Sequence, residues 1–122
     1  MAQFWANGPE ENGFSTSVIV VREPISKSVG LSTYVRRLVR DARSVRRRIS
    51  QPQPLTVDGE PAFAVDYVVA GSGTVQGKLT HVRQVLVKRG PWVIFIRNIA
   101  LPTQYATSLG ALDEVLRNWH WL

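Results

Sequence analysis

The sequence contains no cysteine, which excludes disulfides, zinc sites with thiolate ligands and cysteine nucleophiles. Its two histidines, His81 and His120, form no HxxH or HExxH pattern, so we expect no metal site and no cofactor. No apolar run approaches the roughly 20 residues that a membrane-spanning helix needs, so we expect no membrane span. The start of the chain lacks the basic and apolar regions of a signal peptide, and we therefore expect a cytoplasmic protein.

Residues able to support catalysis are also scarce. Catalysis by histidine requires an orienting acid and a nucleophile beside the imidazole, whereas His81 lies within a predicted strand and His120 lies between two tryptophans. The glycine-rich residues 71–78 resemble a phosphate-binding loop, but they join two predicted strands, and a phosphate-binding loop must open a helix. We therefore predict a flexible hairpin loop at 71–78, no catalytic residue and no enzymatic activity.

The chain has 122 residues, of which 44% are hydrophobic and 20% are charged, which is the composition of one globular domain over residues 1–122. Residues 1–13 are rich in Gly, Asn, Glu and Pro and predict an irregular N-terminal segment. The β-branched residues 14–22 predict a strand. Ser32 is a suitable N-cap for a helix that ends before Pro52. The apolar stripe of this helix has three- and four-residue spacing and comprises Leu31, Tyr34, Val35, Leu38, Ala42 and Val45.

Four further strands and a second helix follow. Asp58-Gly59 predicts a hairpin between 55–57 and 62–70, and a turn at 89–91 joins strands 78–88 and 92–100, with Val87 expected to pair with Trp92. Both faces of this second hairpin are apolar, which indicates cover on both sides. A helix from about Thr103 and a packed tail at 119–122 supply part of that cover. The sequence predicts the α+β class, with a central antiparallel sheet, one helix on each face and the order β-α-β-β-β-β-α.

The positive charge is concentrated in one segment. The net charge is +6, and residues 31–50 contain seven arginines and one acid, so the remainder of the chain is neutral. Like charges at helical spacing repel, so a purely structural cause would have favoured mixed signs. Two interpretations stay open: a solvated helix face, or a surface for an anionic partner, which is an acidic protein, nucleic acid or anionic lipid. The predicted binding residues are Arg36, Arg37, Arg40, Arg43 and Arg47.

The phrases VIVVREP, VDGEPAFAVDY, VLVKRGPWVIFI and VLRNWHWL resemble the bacterial DcrB-like and PsbP-like families. The resemblance implies a Mog/PsbP-like α/β/α sandwich whose core spans residues 14–122. It also implies protein binding without catalysis, since these families include photosystem II subunits, a Ran-binding protein, LpqN-type lipoproteins and chaperones of type VI secretion effectors. Family members usually open with a hairpin strand around Pro-x-Gly-Trp, of which only Phe4-Trp5 is present here. We therefore expect an open first sheet edge through which a homodimer could form.

Three functions are consistent with these features. The leading prediction is a non-enzymatic, protein-binding adaptor or chaperone-like domain whose partner has an acidic surface. The alternative is a basic accessory protein that binds nucleic acid through the arginine-rich first helix, but no stacking aromatic residues interleave the arginines. The third is a small-molecule carrier that uses the cleft between helix and sheet.

Overall fold

The computed structural model of the chain describes residues 2–11, 14–44, 48–70 and 79–121, with the backbone alone at 2–11, 14–17 and 70. The elements in chain order are β1 Ala2–Glu11, β2 Phe14–Pro24, α1 Leu31–Ser44, β3 Gln53–Val57, β4 Glu60–Ala70, β5 Leu79–Arg89, β6 Trp92–Ala100 and α2 Tyr105–Arg117. The predicted α+β class, with an antiparallel sheet and two helices, is confirmed.

The strands form one antiparallel sheet in the order β1-β2-β6-β5-β4-β3. Successive side chains of a strand point to opposite faces, so Phe95 packs on the α1 side and Ile94 on the α2 side. Phe95 is 2% exposed, and Ile94 is partly buried. Each face therefore has its own apolar core and its own helix, as the apolar pattern of the second hairpin predicts.

The N-terminal segment differs from its prediction. Residues 1–13 were expected to be irregular, but Ala2–Glu11 forms strand β1, which pairs with β2 and closes the edge that was expected to be open. Between Asn7 and Glu10, β1 has one residue more than the paired part of β2, so Gly8 and Pro9 lie in a β-bulge. Pro9 has no N–H, and within a bulge this removes no regular hydrogen bond between the strands. The outer strands of the sheet are β1 and β3, and a homodimer through a sheet edge stays a prediction.

The two predicted hairpins are present. Asp58 and Gly59 have φ of 45° and 81°, the left-handed conformations that a two-residue primed turn requires. In the second hairpin the predicted pairing of Val87 with Trp92 is wrong by two residues, because Val87 pairs with Ile94. Gly90, with φ of 55°, permits a two-residue turn that is tighter than expected. A shift of two leaves every side chain on its predicted face.

Helix α1 begins at Leu31, and the Tyr34 N–H donates to the Gly30 carbonyl, so Ser32 lies in the first turn and not at the predicted N-cap. Val35 and Val39 are 1% and 5% exposed and face the sheet. Val45, the last residue of the predicted apolar stripe, lies outside the described residues.

Helix α2 packs Leu112, which is fully buried, against the opposite face of the sheet. The predicted packed tail is confirmed for 119–121, since the Trp121 indole N–H donates to the Val57 carbonyl oxygen at 2.9 Å. The predicted loop at 71–78 and residue 122 lie outside the described residues.

Candidate functional site

Three of the predicted binding residues lie together on the outer side of α1. Arg36, Arg40 and Arg43 are exposed and follow each other at four- and three-residue spacing, which places them on one side of the helix. We call these three residues the arginine face. It exists because Val35 and Val39 use the inner side of the same helix for the core.

The arginine face borders a groove of about 270 Å³. Gln51 and Pro52 form the other wall of this groove. Its lining comprises Arg36, Val39, Arg40, Arg43, Gln51 and Pro52. Three guanidinium groups around one concave surface can bind carboxylate or phosphate oxygens in a paired geometry.

Little negative charge within the fold offsets the arginine face. Arg40 lies 3.5 Å from a carboxylate oxygen of Asp41, but these side chains are 72% and 74% exposed, and such surface pairs contribute little. Arg36 donates to the Thr33 hydroxyl at 3.4 Å. Among the described residues, neither Arg36 nor Arg43 forms an ion pair. The face is therefore available to an acidic partner.

The other two predicted residues are Arg37 and Arg47. Arg37 is exposed but lines a different cavity, on the side of α1 that faces the sheet. Arg47 lies outside the described residues. The structure therefore places three of the five predicted residues on one surface, and their role in binding stays a prediction.

A larger cleft of about 610 Å³ lies between α1 and the sheet. We call it the α1 cleft. Its lining comprises Glu23, Tyr34, Arg37, Leu38, Asp41, Ala42, Ile49, Tyr67, Gln84, Phe95 and Arg97. Sequence reasoning predicted a cleft in this position only as the third functional alternative, and of these residues it named Arg37 alone for binding. One signal was present: Gln84 and Arg97 interrupt the apolar alternation of two central strands on the same face.

The floor of the α1 cleft is polar and ordered by hydrogen bonds. Gln84 is 3% exposed, and its side-chain oxygen accepts from the Arg97 Nε–H and, at 3.4 Å, from the Tyr67 hydroxyl. Tyr34 donates to Glu23 at 3.1 Å. Burial, and then the hydrogen bond and charge of Glu23, raise the pKa of Tyr34 to about 12, so this hydroxyl keeps its proton at neutral pH.

A second polar cluster lies on the α2 face, where Asp66 accepts two hydrogen bonds from Arg83, at 2.8 and 3.1 Å, and one from Tyr105 at 2.6 Å. Burial alone raises the pKa of Asp66, but the hydrogen bonds from Arg83 and Tyr105 outweigh it and hold this pKa below its usual value. Burial and the bond to Asp66 raise the pKa of Tyr105 to about 12. All three side chains therefore keep their ordinary charge states at neutral pH, and the cluster fixes the start of α2 on the sheet.

The two histidines lie in different environments. His81 is partly buried beside the Tyr105 ring, with 5.1 Å between ring centroids, and His120 is exposed, 4.0 Å from Asp58. In the part of the chain that the structure describes, no three His, Cys, Asp or Glu side chains are grouped as metal ligands. No described helix is both long enough and apolar enough to span a membrane.

No protein-family model and no curated protein matches the chain. Solved structures do match. PA94 from Pseudomonas aeruginosa, a protein of unknown function for which a regulatory role is suggested, has a TM-score of 0.81 at 16% identity, over 98% of this chain and 82% of that one. LpqN, involved in cell envelope biogenesis of Mycobacterium tuberculosis, has a TM-score of 0.61 at 14% identity, over 93% and 76%. At these identities the likeness shows a shared fold alone.

Proposed function

We propose that this chain is a non-enzymatic adaptor or chaperone-like domain that binds a partner protein with an acidic surface through the arginine face. One observation carries the proposal: Arg36, Arg40 and Arg43 line a single groove, and among the described residues the one carboxylate within 4.0 Å of any of them is the exposed Asp41. Several exposed charges of one sign raise the rate of association with an oppositely charged surface.

An acidic protein fits this groove better than nucleic acid does. Proteins that bind single-stranded nucleic acid interleave basic residues with aromatic side chains on which bases stack. The aromatic residue of α1, Tyr34, instead faces inward and lies edge-on to Phe95, with 6.1 Å between ring centroids. Among the described lining residues of the groove none is aromatic.

We further propose that the fold is the PsbP-like sandwich. The likeness to LpqN supports this assignment, because LpqN-type lipoproteins are among the proteins that the sequence resemblance includes. The suggested regulatory role of PA94 is in line with a protein that acts by binding. The absence of enzymatic activity and the cytoplasmic location stay predictions.

The proposal is tested with a fluorescently labelled peptide of glutamate and aspartate and with labelled duplex DNA, by anisotropy at several salt concentrations. We expect the wild-type chain to bind the peptide, and the variant with Arg36, Arg40 and Arg43 all changed to Gln to bind it about tenfold more weakly. That factor corresponds to three exposed charge contacts of several tenths of a kcal/mol each.

A charge-matched control distinguishes the effect of the arginine face on peptide affinity from the effect of net charge. Lys27, Arg48 and Arg117 are exposed and lie away from the groove, and changing all three to Gln removes the same charge. We expect peptide affinity to change by less than about twofold in this control. Equal weakening in both variants would show a general charge effect and overturn the proposal. Tighter binding of DNA than of peptide, with a steep salt dependence, would favour the nucleic-acid alternative.

A further inference from the structure

Arg97 differs from the other arginines of the α1 side because it lies inside the fold. It is partly buried on the floor of the α1 cleft, and its Nε–H donates to Gln84. Among the described residues, no carboxylate lies within 4.0 Å of its guanidinium. A guanidinium that is partly removed from water is stabilised by an anion, and it has further N–H donors with which to bind one.

The carboxylates of the cleft do not supply that anion. Glu23 and Asp41 are both exposed and lie at the rim. Glu23 accepts from the Tyr34 hydroxyl, and Asp41 pairs with Arg40, which does not line the cleft. The charge at the floor of the cleft is therefore positive.

The walls of the cleft are mainly apolar and aromatic. Phe95 is 2% exposed and lies with its ring 5.2 Å from the Arg97 guanidinium carbon, and Leu38, Ala42 and Ile49 complete the walls. A volume of about 610 Å³ lies within the range of roughly 300 to 1,000 Å³ typical of small-molecule sites. An inorganic anion would leave most of this apolar surface uncovered, and a neutral hydrocarbon would leave the Arg97 guanidinium without an anionic partner.

We propose that the α1 cleft binds a small organic anion with an apolar body, whose carboxylate or sulfonate group is held by Arg97 and whose body packs against Phe95 and Leu38. Gln84 is a positioning residue, because its hydrogen bond to Nε orients the guanidinium toward the cleft. This site is independent of the arginine face, which lies on the other side of α1.

Two probes of the same shape test the proposal: 8-anilinonaphthalene-1-sulfonate and its neutral analogue N-phenyl-1-naphthylamine, followed by fluorescence titration of the full chain. We expect saturable binding of the sulfonate at one site. Changing Arg97 to Gln is expected to weaken the sulfonate at least about tenfold, as for a lost charged hydrogen bond, and to leave the neutral probe within about twofold.

Two further variants make the test specific. Arg43→Gln removes the same charge from the outer side of α1 and is expected to leave both titrations unchanged. Ala42→Leu narrows the cleft with Arg97 in place and is expected to weaken both probes. Near-ultraviolet circular dichroism of each variant excludes probe binding to a loosened fold.

The proposal is overturned if the wild-type chain does not bind the sulfonate, if Arg97→Gln binds it as well as the wild type does, or if Arg43→Gln weakens it equally. Failure of the adaptor proposal is distinguishable from these outcomes. The acidic peptide is expected to bind Arg97→Gln normally, and the triple variant of the arginine face is expected to bind the sulfonate normally.

Discussion

The two faces of the sheet are covered by helices of 14 and 13 residues, yet they are filled to different degrees. On the α2 face Leu112 is fully buried against Val85, Val87 and Ile96, and Trp121 ties the tail to the β3–β4 turn. On the α1 face a cleft of about 610 Å³ separates part of the helix from the strands. One face is packed for stability, and the other leaves space and unpaired positive charge.

The charged groups also differ between the faces. On the α2 face Asp66 is bonded to Arg83, and the Asn98 amide N–H donates to the Ser108 hydroxyl at 2.9 Å, while the Asn98 side-chain oxygen and the Trp119 indole N–H are buried with no partner among the described residues. On the α1 face Arg36, Arg43 and Arg97 form no ion pair with any described residue. Both proposed binding sites therefore lie on the side where these three arginines have no ion-pair partner among the described residues.

The largest difference between the faces is expected for leucine truncation. Leu112→Ala removes a fully buried side chain and should lower the free energy of unfolding by about 2 to 5 kcal/mol. Leu38→Ala removes a partly buried side chain at the cleft wall and should cost about 1 kcal/mol. Urea unfolding of both variants measures the contrast. Equal losses would mean that the α1 face is packed as tightly as the α2 face.

The second largest effect on stability is expected for the cluster of Asp66, Arg83 and Tyr105. Asp66→Asn removes a charge that accepts two hydrogen bonds from Arg83 and one from Tyr105, and it should lower the free energy of unfolding by roughly 1 to 3 kcal/mol. Since the pKa of Asp66 is lowered on folding, this contribution is complete above the unfolded pKa near 4 and is lost as the pH falls through the folded pKa. Urea unfolding of wild type and variant across this range should show their difference shrinking below about pH 4. A constant difference would contradict the charged role of Asp66.

Sequence reasoning reached those features of the fold that local patterns determine. The Asp58-Gly59 turn and the faces of Ile94 and Phe95 follow from residue type and alternation, and the structure confirms them. Strand β1 was missed because Gly8 and Pro9 are typical of a loop, whereas pairing with β2 accommodates them in a bulge.

The arginine face was accessible from sequence because helical spacing is local. The polar floor of the α1 cleft was not, because Gln84 and Arg97 become directly paired only through the register of β5 with β6. The predicted turn was two residues too long, so the sequence placed other residues opposite Gln84. Long-range register decides which polar side chains meet, and it depends on turn geometry that composition does not specify.

A smaller effect is expected at the histidines. His81→Ala should cost about 0.5 to 1 kcal/mol, because the partly buried ring packs beside Tyr105, and His120→Ala should be within about 0.5 kcal/mol of wild type because His120 is exposed. Thermal unfolding measures both. Binding of a transition metal at either histidine, or turnover lost on both changes with the fold intact, would contradict a purely structural role.

The smallest effect on stability is expected for the arginines of the first helix segment. Comparison with an arginine of the α2 face gives the clearest contrast between the two faces. Changing Arg36, Arg40, Arg43 and Arg47 to Gln should leave the melting temperature unchanged or slightly raised, because like charges at these spacings repel by about a few tenths of a kcal/mol per pair. The exposed contact of Arg40 with Asp41 contributes too little to reverse this sign. Any rise in melting temperature should vanish at high salt, where the repulsion between the arginines is screened.

The corresponding substitution on the other face, Arg83→Gln, should instead destabilise the protein, since it removes the two hydrogen bonds that Arg83 donates to Asp66. Differential scanning calorimetry of the two variants at low and high salt shows whether the arginines of α1 are paired within the fold, as Arg83 is, or are exposed and unpaired. If the quadruple variant unfolds as readily as Arg83→Gln, its arginines are paired within the fold and are not available to a partner. If it melts as expected, the charge on α1 has no structural use, and the peptide titration then decides between the proposed binding role and a solvated helix face.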